Sequence, residues 1–313
     1  MTDTPRGGRS ARPLVSVVIP FRDPGAFFRE AIDSVVAQTY DQWELILVDD
    51  ASSDGSTEVA RSYAERDPAR IRVVRQPSNV GASAARNAGV RIARGALIAF
   101  LDGDDVWLPH KLDAQVALLA QYPRVGMLYG ETEYWYSWTG RDEDRARDMF
   151  PWLGVNGTSV IDPPALLTKC LAGDAAVPCT CSIILRREAI ERAGGFEDQF
   201  TGMFDDQAFY AKVMLAERVL VATERWDRYR RHPSSLYSSA KRAGTVRADR
   251  LAYLAWLHDY VESSRLTSDA PRDAVRRAAW ITRYPRLARL AFLSRWIDPI
   301  RRVGSQNPAL RSE

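Results

Sequence analysis

The sequence has few cysteines and no long apolar segment. Its three cysteines, Cys170, Cys179 and Cys181, are an odd number in a short stretch, so we expect buried thiols of a reducing compartment rather than a disulfide framework. We place Cys179 and Cys181 on one face of a strand, and Cys-x-Cys without a nearby histidine is poor spacing for structural zinc. No run of about 18 apolar residues predicts a transmembrane helix.

The chain also lacks a large excess of charge. Its 43 Lys and Arg oppose 40 Asp and Glu, and a net charge of +3 argues against a nucleic-acid partner. A hydrophobic share of 46% predicts a packed core. Residues 1 to 12 are not followed by the apolar run of a secretory signal, so we expect a disordered lead-in and a cytoplasmic protein.

Residues 13 to 125 alternate between short β-branched segments and helical patterns. Strands are expected at 14 to 20, 43 to 48, 71 to 74 and 96 to 101, each followed by a helix. Repeated strand and helix units predict an α/β fold with a Rossmann-like, mostly parallel sheet flanked by helices. Ligands of such sheets bind at the carboxyl ends of the strands. The polar residues at 21 to 23, 49 to 50 and 102 to 105 should therefore meet at one edge.

Residues 126 to 238 are less regular, and we interpret them as a second, acceptor-binding and catalytic half. A strand is expected near 125 to 130, then a polar mobile loop at 139 to 165. A strand turning into a helix is expected at 181 to 196, and another helix at 205 to 217. Residues 239 to 313 are basic and helical, which predicts a C-terminal extension.

The segment FLDGDDVWLPHKL, at 100 to 112, carries the strongest chemical signal. Asp102, Asp104 and Asp105 crowd around Gly103 directly after an apolar strand, and their mutual repulsion favours a bound cation. Mg²⁺ or Mn²⁺ takes oxygen ligands and is commonly held by one or two carboxylates together with substrate phosphates. The alternative is a solvated turn in which an aspartate caps the helix beginning near Pro109.

Two further residues are candidates for nucleotide contact. Asp50 ends the second strand in VDDASSDGS and can accept hydrogen bonds from a base or ribose, or else cap the next helix. Arg86, in NVGASAARNAG, can contact a phosphate or a base, or lie on the surface.

The order of these motifs, VSVVIP, VDDASSDGS, NVGASAARNAG and FLDGDDVW, resembles the family 2 inverting glycosyltransferases, which have the GT-A fold. The resemblance covers roughly residues 14 to 235. It implies that Asp50 contacts the base, that Arg86 lies beside the nucleotide, that Asp102 lies near the ribose and that Asp104 ligates the metal on the diphosphate. Further nucleotide contacts are expected from residues of the same loops, Pro20, Arg22 and Gly103.

Two later segments match the family as well. FDDQAFYAKV resembles its ED motif, which makes Asp206 the catalytic base and puts Asp205 where Glu is usual. RYRRHPSS resembles a segment whose histidine approaches the metal, which points to His232, although an exposed loop histidine is the alternative. Many members have a Tyr-Asn pair where this chain has Arg22 and Asp23, and a guanidinium can stack on a base as a ring does.

These features predict a metal-dependent inverting glycosyltransferase. It would transfer a sugar from a nucleoside diphosphate sugar to a hydroxyl of a saccharide or lipid-linked acceptor, in bacterial polysaccharide, cell-envelope glycan or glycolipid synthesis. A sugar nucleotidyltransferase is one alternative, but residues 20 to 26 offer Arg22 as their single cation for a triphosphate. The other is an inactive glycan-binding module that uses aromatics such as Trp135 and Trp138.

Residues 272 to 302 mix nine arginines with bulky apolar residues. Such a segment suits peripheral contact with an anionic membrane, at its inner face. It equally suits a helix whose apolar side packs on the catalytic domain while its arginines are solvated. Both interpretations stay open at this point.

Overall fold

The computed structural model describes residues 12 to 288 of the 313. In order along the chain its strands are β1 Val15–Phe21, β2 Trp43–Asp49, β3 Ile71–Arg75, β4 Leu97–Phe100, β5 Val106–Trp107, β6 Met127–Trp135, β7 Ser159–Ile161, β8 Ile184–Arg186 and β9 Val219–Arg230.

The helices alternate with these strands in the first part of the chain and gather at its end. They are α1 Phe27–Val36, α2 Ser56–Arg66, α3 Ala82–Ile92, α4 Lys111–Gln121, α5 Asp142–Arg145, α6 Ala165–Ala172, α7 Arg187–Ala193, α8 Asp205–Ala216, α9 Leu236–Ala243, α10 Val246–Ser263 and α11 Ala270–Arg283.

One nine-stranded sheet runs through both parts of the chain. Its order is β3-β2-β1-β4-β8-β6-β9-β5, with β7 paired to β9. The strands from β3 to β4 are parallel, as the strand and helix repeats predict. β8 runs antiparallel between β4 and β6, and β9 is parallel to β6. The expected Rossmann-like sheet with flanking helices is confirmed.

Side chains alternate across the sheet and build a core on each face. On one face Val18, Ile46 and Phe100 pack with residues of α3, α8, α10 and α11. On the other face Val17 and Leu47 pack with residues of α1, α2 and α4. Because strands buried on both faces expose neither side to water, these segments have the near-continuous apolar sequence seen in 14 to 20 and 43 to 48.

Two local expectations were wrong. Cys179 and Cys181 lie at a 3₁₀ turn, Thr180–Ser182, rather than on a strand, because the chain bends there to enter β8. Residues 139 to 165 contain α5 and β7, and β7 pairs with β9, so this segment is not one continuous loop. The three thiols are free. Cys181 is buried as expected, whereas Cys170 and Cys179 are only partly buried.

The C-terminal residues pack on the sheet domain as far as they are described. Val275 and Ala278 of α11 are buried, and α11 contacts α10 and α6. Residues 289 to 302 of the basic segment, and 1 to 11 of the lead-in, lie outside the described residues. Within residues 12 to 288, no helix combines the length and apolar character needed to cross a bilayer.

Candidate active site

The loops that follow β1 and β2 are hydrogen-bonded to each other at the edge of the sheet. The Asp23 carboxylate accepts the backbone N–H of Ser53 and of Asp54 at 2.6 and 3.1 Å, and the Asp23 N–H donates to the Ser52 hydroxyl at 3.2 Å. Asp23 and Ala51 both have positive φ, 48° and 63°, which non-glycine residues seldom adopt. These contacts hold the strained loops in place and keep the rim beside them preformed.

Asp50 binds the loop that leads into α3. Its carboxylate accepts the N–H groups of Val80 and Gly81 at 2.8 and 2.9 Å. With its amide oriented so that both groups have a partner, Asn79 donates to the same carboxylate at 2.7 Å and accepts from Arg22 at 2.5 Å. The structure thus brings Arg22 and Asp50 together through one side chain, although they lie on different loops. Asp50 does not cap the helix after its own strand, as the alternative required.

Pro20 and Gly103 allow the chain to pack closely at this edge of the sheet. Pro20 is buried in β1 and pairs with Val48 of β2. A side chain added to Gly103 would place its Cβ 3.3 Å from the Cβ of Pro24. Glycine therefore lets the aspartate loop approach the loop after β1, and both sit at the carboxyl ends of parallel strands.

Arg86 is the centre of a buried network of charge. It is 4% exposed and donates to Asp102 at 2.7 Å and to Asp205 at 2.6 Å. Burial raises the pKa of Asp102 despite the contact with Arg86, and Asp104 raises it further. Although burial opposes the charge, Asp102 and Asp205 raise the pKa of Arg86. The surface-arginine alternative is thereby excluded, and α3, β4 and α8 are joined at one point.

The expected metal ligands lie side by side. Nε2 of His232 is 2.9 Å from Oδ2 of Asp104, and Nδ1 of His232 contacts the Ser234 hydroxyl at 2.8 Å. His232 is 8% exposed, so it is not an exposed loop histidine. β5 pairs with β9 through Val106 and Arg228, and this pairing brings the two segments together.

A carboxylate oxygen and an imidazole nitrogen suit Mn²⁺, and a carboxylate suits Mg²⁺. In the described part of the chain, no three His, Cys, Asp or Glu side chains converge closely enough to enclose a metal by themselves. The side chain of Asp104 is 32% exposed, so solvent and ligands can reach it. The residues therefore fit a divalent ion whose remaining ligands are water and substrate phosphates.

Asp105 and Arg230 connect the two segments that carry Asp104 and His232. Asp105 accepts the Arg230 N–H at 2.8 Å, and the Arg230 guanidinium donates to the Asp104 carbonyl at 2.7 Å and to Glu30 at 2.6 Å. Burial raises the pKa of Asp105, and Asp104 adds to the effect. Arg230 and Glu30 were not among the residues predicted from the sequence. The arginine-rich RYRRH segment was the available signal for Arg230, whereas nothing in the sequence links Glu30 to it.

The aspartates do not cap the helix near Pro109. That helix, α4, begins at Lys111 with His110 at its cap position and no side-chain cap hydrogen bond. The solvated-turn alternative is therefore wrong, since Asp105 is 1% exposed and is held by β9.

Asp206 stands in the first turn of α8 beside the Arg86 network. Its one side-chain hydrogen bond in the described structure is from the Gln207 N–H, at 2.7 Å. Burial raises the pKa of Asp206 to about 7, and the neighbouring charge of Asp205 contributes. A carboxyl group with this pKa can exchange a proton near neutral pH, which is the property of a general base.

The turn before Asp206 is strained and contacts helix α10. Phe204 has a φ of 68°, and its ring stacks on Tyr253 of α10 with centroids 5.5 Å apart and 7° between the planes. Such backbone strain persists only where its surroundings enforce it. Helix α10 therefore takes part in placing the acid.

A protein-family model described as "Glycosyl transferase family 2" matches residues 16 to 194, which is more than half of the chain. The chain belongs to glycosyltransferase family 2. An uncharacterized glycosyltransferase of Bacillus subtilis, EpsJ, is 34% identical over 72% of the chain, and the match spans 63% of that relative's length. An Escherichia coli glucosyltransferase, WfgD, named for acting on GlcNAc-diphosphoundecaprenol, is 34% identical over 38% of the chain and 46% of its own length.

Solved structures show the same fold. Staphylococcus aureus TarS in complex with UDP-GlcNAc superposes with a TM-score of 0.68 over 87% of this chain and 73% of TarS, at 17% identity. A mannosyltransferase of Pyrobaculum calidifontis in complex with GDP-Man and Mn²⁺ superposes with a TM-score of 0.60 over 86% of this chain and 70% of its own, at 20% identity. The GT-A fold implied by the motifs is confirmed.

Proposed function

We propose that this protein is a metal-dependent inverting glycosyltransferase that uses a nucleoside diphosphate sugar and a hydroxyl acceptor. The observation that carries the proposal is the pairing of Asp104 with His232, 2.9 Å apart, on the same edge of the sheet as Arg86, Asp102 and Asp206. The complexes of TarS with UDP-GlcNAc and of the mannosyltransferase with GDP-Man and Mn²⁺ support it, since both have this fold.

In the proposed mechanism the donor lies along the rim from Asp50 to Asp104. Arg22 and Asp50 bind the base, and Pro20 and Gly103 allow the nucleotide to approach the backbone. Asp102, oriented by Arg86, binds the ribose. A divalent cation bound by Asp104 and His232 would neutralise the charge of the departing diphosphate.

Asp206 is the proposed base for the acceptor. It removes the proton of the attacking hydroxyl, while the oxygen forms its bond to the anomeric carbon and the bond to the diphosphate breaks. Attack from the face opposite the leaving group inverts the configuration. The pKa of about 7 supports this role, because the ionised form is then available near neutral pH and can accept a proton without a large penalty.

The homologues support a broader setting in glycan synthesis. WfgD is named for transfer to a lipid diphosphate-linked sugar, and other relatives carry names from teichuronic acid and O-antigen biosynthesis. We accordingly propose a saccharide or lipid-linked acceptor in bacterial polysaccharide or glycolipid synthesis. The proposed location is the cytoplasm or the inner face of the membrane.

The test is a panel of UDP-, dTDP- and GDP-sugars incubated with Mn²⁺ and candidate acceptors. Release of nucleoside diphosphate supports transfer. In a parallel incubation with a nucleoside triphosphate and a sugar phosphate, release of pyrophosphate would indicate a nucleotidyltransferase. No turnover of any donor, together with glycan binding, would indicate a binding module. In calorimetry, Asp104→Ala should lose Mn²⁺-dependent donor binding while Asp142→Ala, whose side chain is 97% exposed, retains it.

A further inference from the structure

A cavity of about 290 Å³ opens beside His232, on the part of the chain that the nucleotide motifs do not include. Residues of the segment 136 to 147 form one wall, and residues of 231 to 241 form the other. We call it the basic pocket. His232 is the single lining residue that it shares with the proposed donor site, so the two sites are neighbours.

The basic pocket carries an excess of positive charge. Arg141, Arg147, Arg231 and Lys241 line it, and Asp144 is the one carboxylate among its lining residues. Asp144 accepts hydrogen bonds from Arg141 at 2.9 Å and from Arg147 at 2.7 Å. The carboxylate thus orients two of the cations and leaves the pocket with a net charge of +3 when His232 is neutral, four cations against one acid.

The other two cations have no carboxylate partner. Within residues 12 to 288, neither Arg231 nor Lys241 lies within ion-pairing distance of an acid. Arg231 is half-buried, and aromatic rings enclose its guanidinium, with the centroid of Tyr237 at 4.9 Å and that of Tyr229 at 5.2 Å. A positioned guanidinium without a partner is suited to bidentate recognition of a phosphate.

The pocket is separate from the proposed place of the donor. None of its lining residues belongs to the loops of Asp50, Arg86 or Asp102, and Asp104 does not line it. Trp138 connects the pocket wall to α1, since its indole donates to the Arg231 carbonyl at 3.0 Å and its ring contacts Phe27 edge-on at 5.2 Å. An anion bound here therefore meets different side chains from the donor diphosphate.

We infer that the basic pocket binds a phosphate or diphosphate carried by the acceptor. Arg231 and Lys241 contact its oxygens, and the rings of Tyr136, Trp138 and Tyr237 pack against the attached sugar. This inference rests on the proposed function, because it assigns the chemical class of the acceptor for the same reaction. The proximity to His232 places such a group beside the reacting centre.

The test separates the two anion sites by binding measurements. With EDTA present, the wild-type protein should bind inorganic pyrophosphate and geranyl diphosphate, in which one end of the diphosphate is esterified, and should not bind geraniol. Arg231→Gln and Lys241→Gln should each raise these two dissociation constants by about tenfold, since charge-assisted hydrogen bonds are the strong ones. Asp104→Ala and the surface control Lys169→Gln should leave them within about twofold, since neither residue lines the pocket.

A second series uses Mn²⁺ and whichever of UDP, GDP and dTDP binds the wild-type protein. Asp104→Ala should abolish that binding, and Lys241→Gln should not change it. If no nucleoside diphosphate binds, the proposed function fails while the EDTA series still tests the pocket. The inference is overturned if pyrophosphate does not bind, or if its affinity follows Asp104 rather than Arg231 and Lys241. Binding of pyrophosphate without geranyl diphosphate would overturn the assignment to the acceptor. Lys241 is exposed, so Lys241→Gln tests the pocket even if Arg231→Gln is unstable.

Discussion

Two of the three Asp-Asp pairs in the sequence, Asp49-Asp50 after β2 and Asp205-Asp206 at the start of α8, have opposite surroundings. Asp49 accepts from the Ser52 N–H at 2.7 Å and the Thr57 hydroxyl at 2.5 Å, and Asp50 accepts two further backbone N–H groups. In the second pair Asp205 accepts a hydrogen bond from the Arg86 guanidinium. Asp206 accepts a hydrogen bond from the N–H of Gln207, and its pKa is raised to about 7.

The difference between the two pairs distinguishes a structural role from a chemical one. Carboxylates that accept several hydrogen bonds, as Asp49 and Asp50 do, hold the loops around them. A carboxylate that is half-buried beside another acid, as Asp206 is, with little hydrogen bonding, binds a proton more readily and can exchange it. We therefore propose that the pair after β2 builds the nucleotide rim and that the pair that opens α8 serves proton transfer.

The largest effect is expected from Asp206→Asn. An amide cannot accept the acceptor's proton, so kcat should fall by about 10²- to 10⁴-fold while the dissociation constant of the donor is unchanged. Initial rates of nucleoside diphosphate release and calorimetry measure the two quantities. Asp142→Asn is the matched surface control, and it should behave as wild type. A variant that keeps more than a tenth of the wild-type kcat would remove Asp206 from the role of base.

Arg86→Gln should have the next largest effect, on stability. It leaves Asp102 and Asp205 without their buried cation, and breaking a buried ion pair costs about 3–5 kcal/mol in free energy of unfolding. Urea denaturation measures this loss. Arg145→Gln removes an exposed pair with Asp142 and should cause no measurable change. Equal midpoints for the two variants would show that the Arg86 network does not stabilise the fold.

The pH dependence of kcat should distinguish the two acids of the second pair. The base acts in its ionised form, so kcat should rise as the pH increases through about 7, the pKa of Asp206. The charge of Asp205 raises that pKa, and Asp205→Asn should therefore move the rise to lower pH. A pH-rate profile of the wild type and the variant measures the shift. A rise that stays in place or moves to higher pH contradicts the coupling.

The smallest effect is expected from helix α10. Tyr253→Leu removes the ring that stacks on Phe204, and losing about 1 kcal/mol of aromatic contact at the turn before Asp205 should lower kcat by roughly fivefold. Tyr253→Phe keeps the ring and should remain close to wild type. Steady-state kinetics with the donor varied will show whether kcat changes while the donor KM does not. Equal losses for Leu and Phe would assign the effect to the hydroxyl instead.

Much of the first half of the fold could be predicted because its signals are local. Strands β1 to β4 and their helices follow from apolar periods within 4 to 11 residues, and their polar ends were expected at one edge. The second half was harder. β5 is two residues long and β7 three, and each is a strand because β9 offers an edge to pair with. Pairing of that kind leaves little trace in a short sequence.

The order of chemistry-bearing segments, the parallel sheet and the crowded acids were determined by the sequence itself, because side-chain period and strand ends are properties of neighbouring residues. Only the tertiary structure decided which charges meet. Asp104 and His232 are separated by 128 positions, and Arg86 and Asp205 by 119. Contacts at such distances depend on how β9 and α8 pack against the sheet. The same packing created the basic pocket beside His232.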